Sequence, residues 1–448
     1  MKGGLIIIKR ILVANRGEIA VRIIRACDEM NIEAIAVYSK ADKNSLFVRL
    51  ADDAVEIGPS PVTKSYLNKQ SILMAATLKQ VDAIHPGYGL LSEDWVFAKL
   101  CEEMGFEFIG PKSETIKKMG NKVNARQIMS NAGVDVVPGA VLESIEKIEK
   151  LNMSFPLMVK SALGGGGKGI RKVANKEALQ SEIDIIRKEA ANSFGGSKIY
   201  IEQFMQPARH IEVQIAADKF GHTFAISERD CSLQRRHQKV IEQAPATILT
   251  EEQRKQIEKQ AIIGAETICY KGLGTMEFLL YKGSIFFLEM NTRLQVEHTV
   301  TEEISDIDLV KLQIQIANGE NIVDLKDQLS YSGVALECRL TSENYKKNFI
   351  ASTGKITDFY VPTGGKGVRI DEGVKSGDIV TPYYDSLLAK IIVHDNSREK
   401  ARIKMLEVLN EIAIEGIDTN LNLLKRILNN DLFVKDKIST TSIEEEIL

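Results

Sequence analysis

The sequence predicts a chain of mixed α/β and α+β architecture: an N-terminal parallel sheet, a middle part whose strands surround a glycine-rich loop, and a β-rich C-terminal region. Three observations predict it. Short apolar runs alternate with amphipathic stretches through residues 10–110, the pattern of βαβ units. A glycine run, GGGGKG, follows an apolar run that ends at Lys160. Two further runs, residues 274–280 and 284–290, flank Lys282-Gly283 and read as an antiparallel hairpin.

In chain order, residues 10–14 read as a strand, 15–18 as a turn and 19–30 as an amphipathic helix. Further strands are expected at 34–38, 83–85 and 105–110. Binding loops of parallel sheets lie beyond the carboxyl ends of the strands. HPGYGLLSE, from His85, begins at such an end, and GPKSE follows another. Residues 122–132 read as a helix and 134–138 as a short strand. Strands at 155–160, 169–173 and 198–204, with a charged helix at 177–191, form a small subdomain rather than a continuation of the first sheet. Strands at 210–216 and 223–228 follow. The C-terminal region, from Val334, has β-like runs, glycine turns at Gly364-Gly365 and Gly377, and a helix at 398–411. The last residues, STTSIEEEIL, are polar and are expected to fray.

Composition narrows the class. Hydrophobic content of 44% with 27% charged residues is that of a globular enzyme, and 448 residues exceed one ordinary core. Basic and acidic residues nearly balance, 58 against 61, which gives no general reason to expect nucleic acid or a membrane surface as partner. Cys27, Cys101, Cys231, Cys269 and Cys338 are odd in number and lack CxxC spacing, so a reducing, cytoplasmic setting fits better than a disulfide scaffold or structural zinc. The opening MKGGLIIIKRILVANRGE is too interrupted by charge to span a bilayer and has no small-residue cleavage site; it reads as a first buried strand.

Three constellations carry chemistry. Glycines after Lys160 let backbone N–H groups surround phosphate oxygens, with Lys160 and Lys168 adding positive charge. No GK[ST] closes this loop, so it is not a P-loop, and alone it also fits a flexible hairpin tip. In FLEMNTRLQVEH, Glu289, Asn291 and Arg293 alternate with Leu288, Met290 and Thr292, which places the first set on one strand face. Glu277 lies on the preceding strand, so two carboxylates and an amide converge, a donor set suited to Mg²⁺ bound to phosphates. The alternative is a solvated polar face, against which the neighbouring Phe278, Leu279, Phe287 and Leu288 argue. The segment ERDCSLQRRHQKV carries Arg229, Arg235, Arg236, His237 and Lys239, either an anion site or an exposed basic loop. No HExxH or close histidine cluster points to catalytic zinc.

Together these features resemble the ATP-grasp enzymes and, within them, the biotin carboxylases. The resemblance runs through VANRGEIAVRIIRAC, HPGYGLLSE, FIGPKSETI, GGGGKG, ERDCSLQRRHQKVIEQAP, FLEMNTRLQVEHTVTE, GVALECR and PYYDSLLAKI, nearly the full chain. It implies a Rossmann-like preATP-grasp domain over residues 1–120, an ATP-grasp fold over 121–333 with a mobile lid at about 138–206, and a C-terminal biotin carboxylase domain over 334–448. Lys122 and Lys160 match phosphate-contacting lysines, and Gly165, Gly166 and Gly167 the lid loop. Glu202 and Met205 match adenine-side positions, and His210, Gln234 and His237 residues lining the nucleotide site. Glu277, Glu289 and Asn291 match the metal group. Lys239, Arg293, Gln295, Val296 and Glu297 match the bicarbonate region, Glu297 as general base, and Arg339 matches the arginine beside the biotin ureido oxygen.

The implied reaction uses ATP, Mg²⁺ or Mn²⁺ and bicarbonate, with biotin as a carrier-bound substrate. No Met-Lys-Met type biotinylation motif is present, so the resemblance implies a separate biotin carboxyl carrier protein and a carboxyltransferase subunit, and a homodimer of this chain. The final acceptor, acetyl-CoA, propionyl-CoA or pyruvate, stays open. The chain departs from the family pattern at Leu163, where the glycine run often begins, at Gln203 in place of a hinge lysine, at Thr299 in place of proline, and in LTSEN after Arg339. Two rival readings are another ATP-grasp carboxylate ligase, which leaves the basic segment unexplained, and a non-catalytic nucleotide sensor, which would not need both Glu297 and Arg339.

Overall fold

The computed structural model describes residues 7–142, 153–161, 170–194 and 199–448. The first unit is a parallel sheet of β1 (Arg10–Val13), β2 (Glu33–Ser39), β3 (Asp53–Gly58), β4 (Ala83–His85) and β5 (Glu107–Phe108), in the order β3-β2-β1-β4-β5. The central strands are short and apolar because helices cover both faces. Helix Gly17–Glu29 buries Ile19, Ile23 and Cys27, spaced four apart on one face, and exposes Arg25 and Asp28. Strand β3, absent from the sequence reading, is an edge strand of mostly half-buried residues, so it lacks the apolar run that marks its neighbours.

The turns after β1 and β4 are tied together. Asn15 donates from Nδ2 to the carbonyls of Pro86 and Tyr88, at 2.7 and 2.8 Å. Gly87 has φ +62°, and a Cβ there would stand 2.9 Å from Asn15 Nδ2, so only glycine fits this close approach.

The small subdomain pairs β6 (Gly139–Val141), β7 (Leu157–Ser161), β8 (Ile170–Val173) and β9 (Ile199–Gln203) in the order β6-β9-β7-β8, backed by helix Lys176–Phe194. It has a hydrophobic cluster of its own, with Leu157, Val159, Leu179, Ile183 and Ile201 at its centre. The glycine loop expected at 164–168, and with it Gly165, Gly166, Gly167 and Leu163, lies outside the described residues.

The third unit is an antiparallel sheet. It contains β10 (Arg209–Ala217), β11 (Thr223–Arg235), β12 (Gln238–Ala244), β13 (Gly272–Tyr281), β14 (Ser284–Asn291) and β15 (Val334–Thr341), followed by the strands Leu387–Asp395 and Val368–Glu372. Its order is β14-β13-β10-β11-β12-β15, then Leu387–Asp395 and Val368–Glu372, so it runs on unbroken past residue 334 through the pairing of Ile241 with Cys338 and of Glu242 with Glu337.

Four expectations change. Residues 134–138 form no strand, only an isolated bridge from Val136 to Phe287. Strand β11 does not stop at Glu228 but continues to Arg235, and the basic segment is a hairpin turning at Arg236 and His237. Polar residues continue that strand because they are paired inside: Arg229 is fully buried and donates to Glu212, Gln214, Thr275 and Thr301. Strand β14 ends at Asn291, so Arg293 lies beyond it rather than on its face. The C-terminal residues do not fray. Ile443 and Ile447 are buried, Gln206 donates to Thr441 and Glu445, and Arg236 N donates to Glu444.

Candidate active site

A cavity of 1210 Å³ lies where the three units meet. The N-terminal loops contribute Gly17, Tyr88 and Glu93, the small subdomain Met158, Lys160 and Glu202, and the C-terminal turn Thr440, Thr441 and Glu444. Of the residues singled out in the sequence, Lys122, Lys160, Glu202, Met205, His210, Gln234, His237 and Lys239 line it. So do Glu277, Glu289, Asn291, Arg293, Gln295, Val296 and Arg339. Glu297 is fully buried and stands behind Lys239 and Arg339.

Lys239, near the start of β12, is the hub. Its ammonium donates to Glu212 at 2.5 Å, Glu277 at 2.9 Å and Glu297 at 2.5 Å. Arg339, on β15, donates to Glu242 at 2.5 Å and to the other oxygen of Glu297 at 2.9 Å. Burial is the largest effect on the Glu297 carboxyl and pushes it up, and Glu212 adds to that, but Lys239, Arg339 and Arg229 together outweigh them and leave the group below the ordinary carboxylate range. Burial opposes charge on His210, yet Glu277 and then Glu212 raise it to about 9. Its Nε2 stands 3.6 Å from Glu212 and 3.5 Å from Glu277 without a hydrogen-bond partner among the described residues.

The expected metal group is divided between partners. Glu277 and Glu289 face each other across β13 and β14. Glu289 takes the Lys122 ammonium at 2.8 Å, while Asn291 donates to Glu277 at 2.8 Å and accepts from Arg293 at 3.1 Å. These hard oxygen donors fit Mg²⁺. A tighter group among the described residues is His210, Glu212 and Glu277, whose ligand atoms lie within 4.8 Å of one another. On the other wall Lys160 pairs with Glu202, and Arg126 stands 3.5 Å from the same carboxylate. Burial lowers the Lys160 ammonium despite that partner.

Arg293 is not beside Glu297 as a partner. It donates to Glu93 at 3.0 Å and to Leu294 O and Gln295 at 3.1 and 3.3 Å. The cations that pair with Glu297 and favour its ionised form are Lys239 and Arg339. Gln295 donates to Glu277 at 3.3 Å, and Gln234 turns back to the Cys231 carbonyl at 2.8 Å. Gln203 does what a lysine could not: it donates to Ser154 O and accepts from Ser154 N, at 2.9 and 3.0 Å, knitting the base of the small subdomain. Thr299 donates its hydroxyl to Glu337.

Sequence reasoning missed Glu212, Glu242 and Glu93. Glu212 had a signal, since His210, Glu212 and Gln214 alternate along β10 as Glu289 and Asn291 do along β14. Glu242 and Glu93 sit inside the blocks already singled out, but nothing local marks either as an arginine's partner.

Fold and site thus define an ATP-grasp architecture: a parallel-sheet unit, a small sheet over a cavity, and an antiparallel sheet presenting acids and cations to it. Family models match in three consecutive stretches. They are the biotin carboxylase N-terminal domain over residues 7–116, the carbamoyl-phosphate synthase L chain ATP-binding domain over 121–325, and the biotin carboxylase C-terminal domain over 337–445. The chain is 44% identical to biotin carboxylase 1 of Bacillus subtilis over 98% of each chain. It superposes with a TM-score of 0.95 on a biotin carboxylase–β-γ-ATP complex from Campylobacter jejuni, at 41% identity, covering 98% of this chain and 99% of that one. The biotin carboxylase domain of 2-oxoglutarate carboxylase from Hydrogenobacter thermophilus, a dimer with MgADP, ADP and bicarbonate, matches at a TM-score of 0.94 and 41% identity, covering 98% and 97%. The chain belongs to the biotin carboxylase family.

Proposed function

We propose that this protein carboxylates biotin, using ATP and bicarbonate, with biotin carried on a separate carrier protein. The observation that carries the reading is the convergence of Lys239 and Arg339, which line the cavity, on Glu297 just behind its wall. Lys122 and Lys160 neutralise the phosphates of ATP from one side of that cavity. Glu277, Glu289 and Asn291 would hold Mg²⁺, or Mn²⁺, which supplies Lewis-acid neutralisation of phosphate charge.

Bicarbonate is held by Lys239 and Arg293. An anion there competes with Glu297 for the Lys239 ammonium; as that cation is drawn away, the carboxylate becomes more basic. Glu297 then takes the bicarbonate proton as the oxygen attacks the γ-phosphorus, giving carboxyphosphate and ADP. Carboxyphosphate splits to CO₂ and phosphate, the phosphate takes the ureido proton of biotin, and the nitrogen captures CO₂. Arg339, which lines the cavity, stabilises the charge on the ureido oxygen. Exclusion of water protects the mixed anhydride meanwhile.

The wider assignments belong to the same reading. The domain division falls at 120/121 and 333/334 with a lid over about 138–206, the chain is a cytoplasmic homodimer, and a carboxyltransferase subunit passes the carboxyl group to its acceptor. The small subdomain's separate hydrophobic cluster supports the lid, and no helix among the described residues is long and apolar enough to cross a membrane. ADP release measured with bicarbonate and free biotin each omitted in turn tests the function. Turnover that needs both is expected; turnover indifferent to bicarbonate would overturn it in favour of a different ATP-grasp ligase.

A further inference from the structure

Lys390 is a buried cation that the reaction above does not use. It sits on the strand Leu387–Asp395 and has 0% exposure. It faces Arg339 across one side of the ladder and Asp371 across the other, so Arg339, Lys390 and Asp371 form a row of charges on one face of the sheet. Its ammonium donates to the main-chain carbonyl of Val296 at 3.1 Å and stands 3.3 Å from Glu18 Oε2 and 3.7 Å from Asp371 Oδ2. Glu18 comes from the helix Gly17–Glu29 and accepts the hydroxyl of Tyr88, which lines the cavity.

Taking an ammonium out of water costs several kcal/mol, and apolar packing would fill the same space at less cost. A lysine here therefore calls for a task that needs a donor. Val296 immediately precedes Glu297, and Glu297 is itself the N-cap of helix His298–Ser305, without a side-chain capping bond. Both Glu297 oxygens are engaged by Lys239 and Arg339, while Lys390, the cross-strand neighbour of Arg339, grips the backbone just before it.

We propose that Lys390 is a positioning residue: its bond to the Val296 carbonyl fixes the peptide from which Glu297 projects, and so sets where that carboxylate stands against Lys239 and Arg339. The inference rests on the reading of Glu297 as the base. Lys390 acts through Glu297 and through main-chain placement, with Asp371 as the counter-charge that makes its burial tolerable and the Glu18 carboxyl beside it.

The test uses the full chain with Lys390→Met, Glu297→Gln and the two combined. Carboxybiotin formation is followed with labelled bicarbonate, and nucleotide affinity and thermal midpoint are measured on the same preparations. Lys390→Met is expected to lower kcat about 10²-fold, the size of effect a misplacement of ~1 Å produces, with nucleotide Kd unchanged. Added to Glu297→Gln, it is expected to cost nothing further, because both changes act on one group. Wild-type kcat in a folded Lys390→Met protein, or a loss that multiplies that of Glu297→Gln, overturns the proposal. Should Lys390→Met fail to fold, the Lys390→Met/Glu18→Gln protein, which removes both buried ionisable groups of that contact, takes its place with the same expectations. If Glu297→Gln turns over normally, the base assignment itself falls; if Glu297→Gln is inactive and the Lys390 variant is normal, only the positioning role falls.

Discussion

Glu297 shares its two oxygens between an ammonium at 2.5 Å and a guanidinium at 2.9 Å, so in the resting protein it is a carboxylate clamped by charge. A base in that state is weak, and it gains strength only when a substrate anion competes for the clamp. Glu297→Gln keeps the shape but removes the proton acceptor. Calorimetry is expected to show unchanged ATP affinity, while carboxybiotin formation falls by roughly 10²–10⁴-fold, the span of general-base effects. Loss of ATP affinity along with activity would instead mark a structural role. Lys160 belongs to the same scale. It is buried against Glu202, and burial already lowers its proton affinity. Lys160→Met is expected to weaken ATP binding or turnover without unfolding the chain, and unchanged ATPase kinetics would remove the lysine from the phosphate site.

Two elements hold the site from behind. Helix His298–Ser305 carries Glu302, which takes Arg22 at 3.0 Å and Arg369 at 2.8 Å, cations from the first and last units of the chain. Burial raises the Glu302 pKa, but His298, Arg22 and Arg369 together bring it down from 4.5 to about 2. A carboxylate depressed on folding stabilises fully above its unfolded pKa and loses that contribution as pH falls through the folded one. Glu302→Gln should therefore melt below the wild type at pH 7, by on the order of 3 kcal/mol. The gap should close as pH drops from 4.5 toward 2. A gap that stays constant over that range would assign the loss to packing rather than ionisation. The second element is the C-terminal turn. With Ile443 and Ile447 buried and Thr440, Thr441 and Glu444 on the cavity wall, truncation after Ile438 is expected to lower both the thermal midpoint and nucleotide affinity. Each buried isoleucine is worth roughly 1.5–3 kcal/mol. A truncated chain with wild-type melting would show that the turn is dispensable.

Across the whole molecule, one continuous antiparallel sheet carries the acids of β10, β13 and β14 at one end and Arg339 and Lys390 toward the other. The site is thus assembled on a rigid support, with the small subdomain set over it on its own hydrophobic cluster. Chelation of divalent metal should abolish ADP formation and restored Mg²⁺ should return it; undiminished turnover after complete removal would refute the metal role of Glu277 and Glu289. Sedimentation over a broad concentration range is expected to give a dimer, and a monomer throughout would refute that assembly.

Part of this was legible in the chain alone. The inner strands of the first sheet announce themselves because a parallel strand covered on both faces is a short apolar run. The hairpin bearing Glu277, Glu289 and Asn291 announces itself because alternation along a strand survives in the order of residues. What stayed hidden was pairing at a distance: Glu212 with Lys239, Glu242 with Arg339, Glu93 with Arg293, and Lys390 with the Val296 carbonyl. The edge strand β3 and the packed C-terminal turn were hidden too, because a partly exposed or polar segment carries little hydrophobic pattern. The sequence by itself determined which residue types could serve phosphate, metal and anion. Only the tertiary structure decided which cation holds which carboxylate, because strand order brings together residues far apart in the chain and a buried charge must take whichever opposite charge the sheet places beside it.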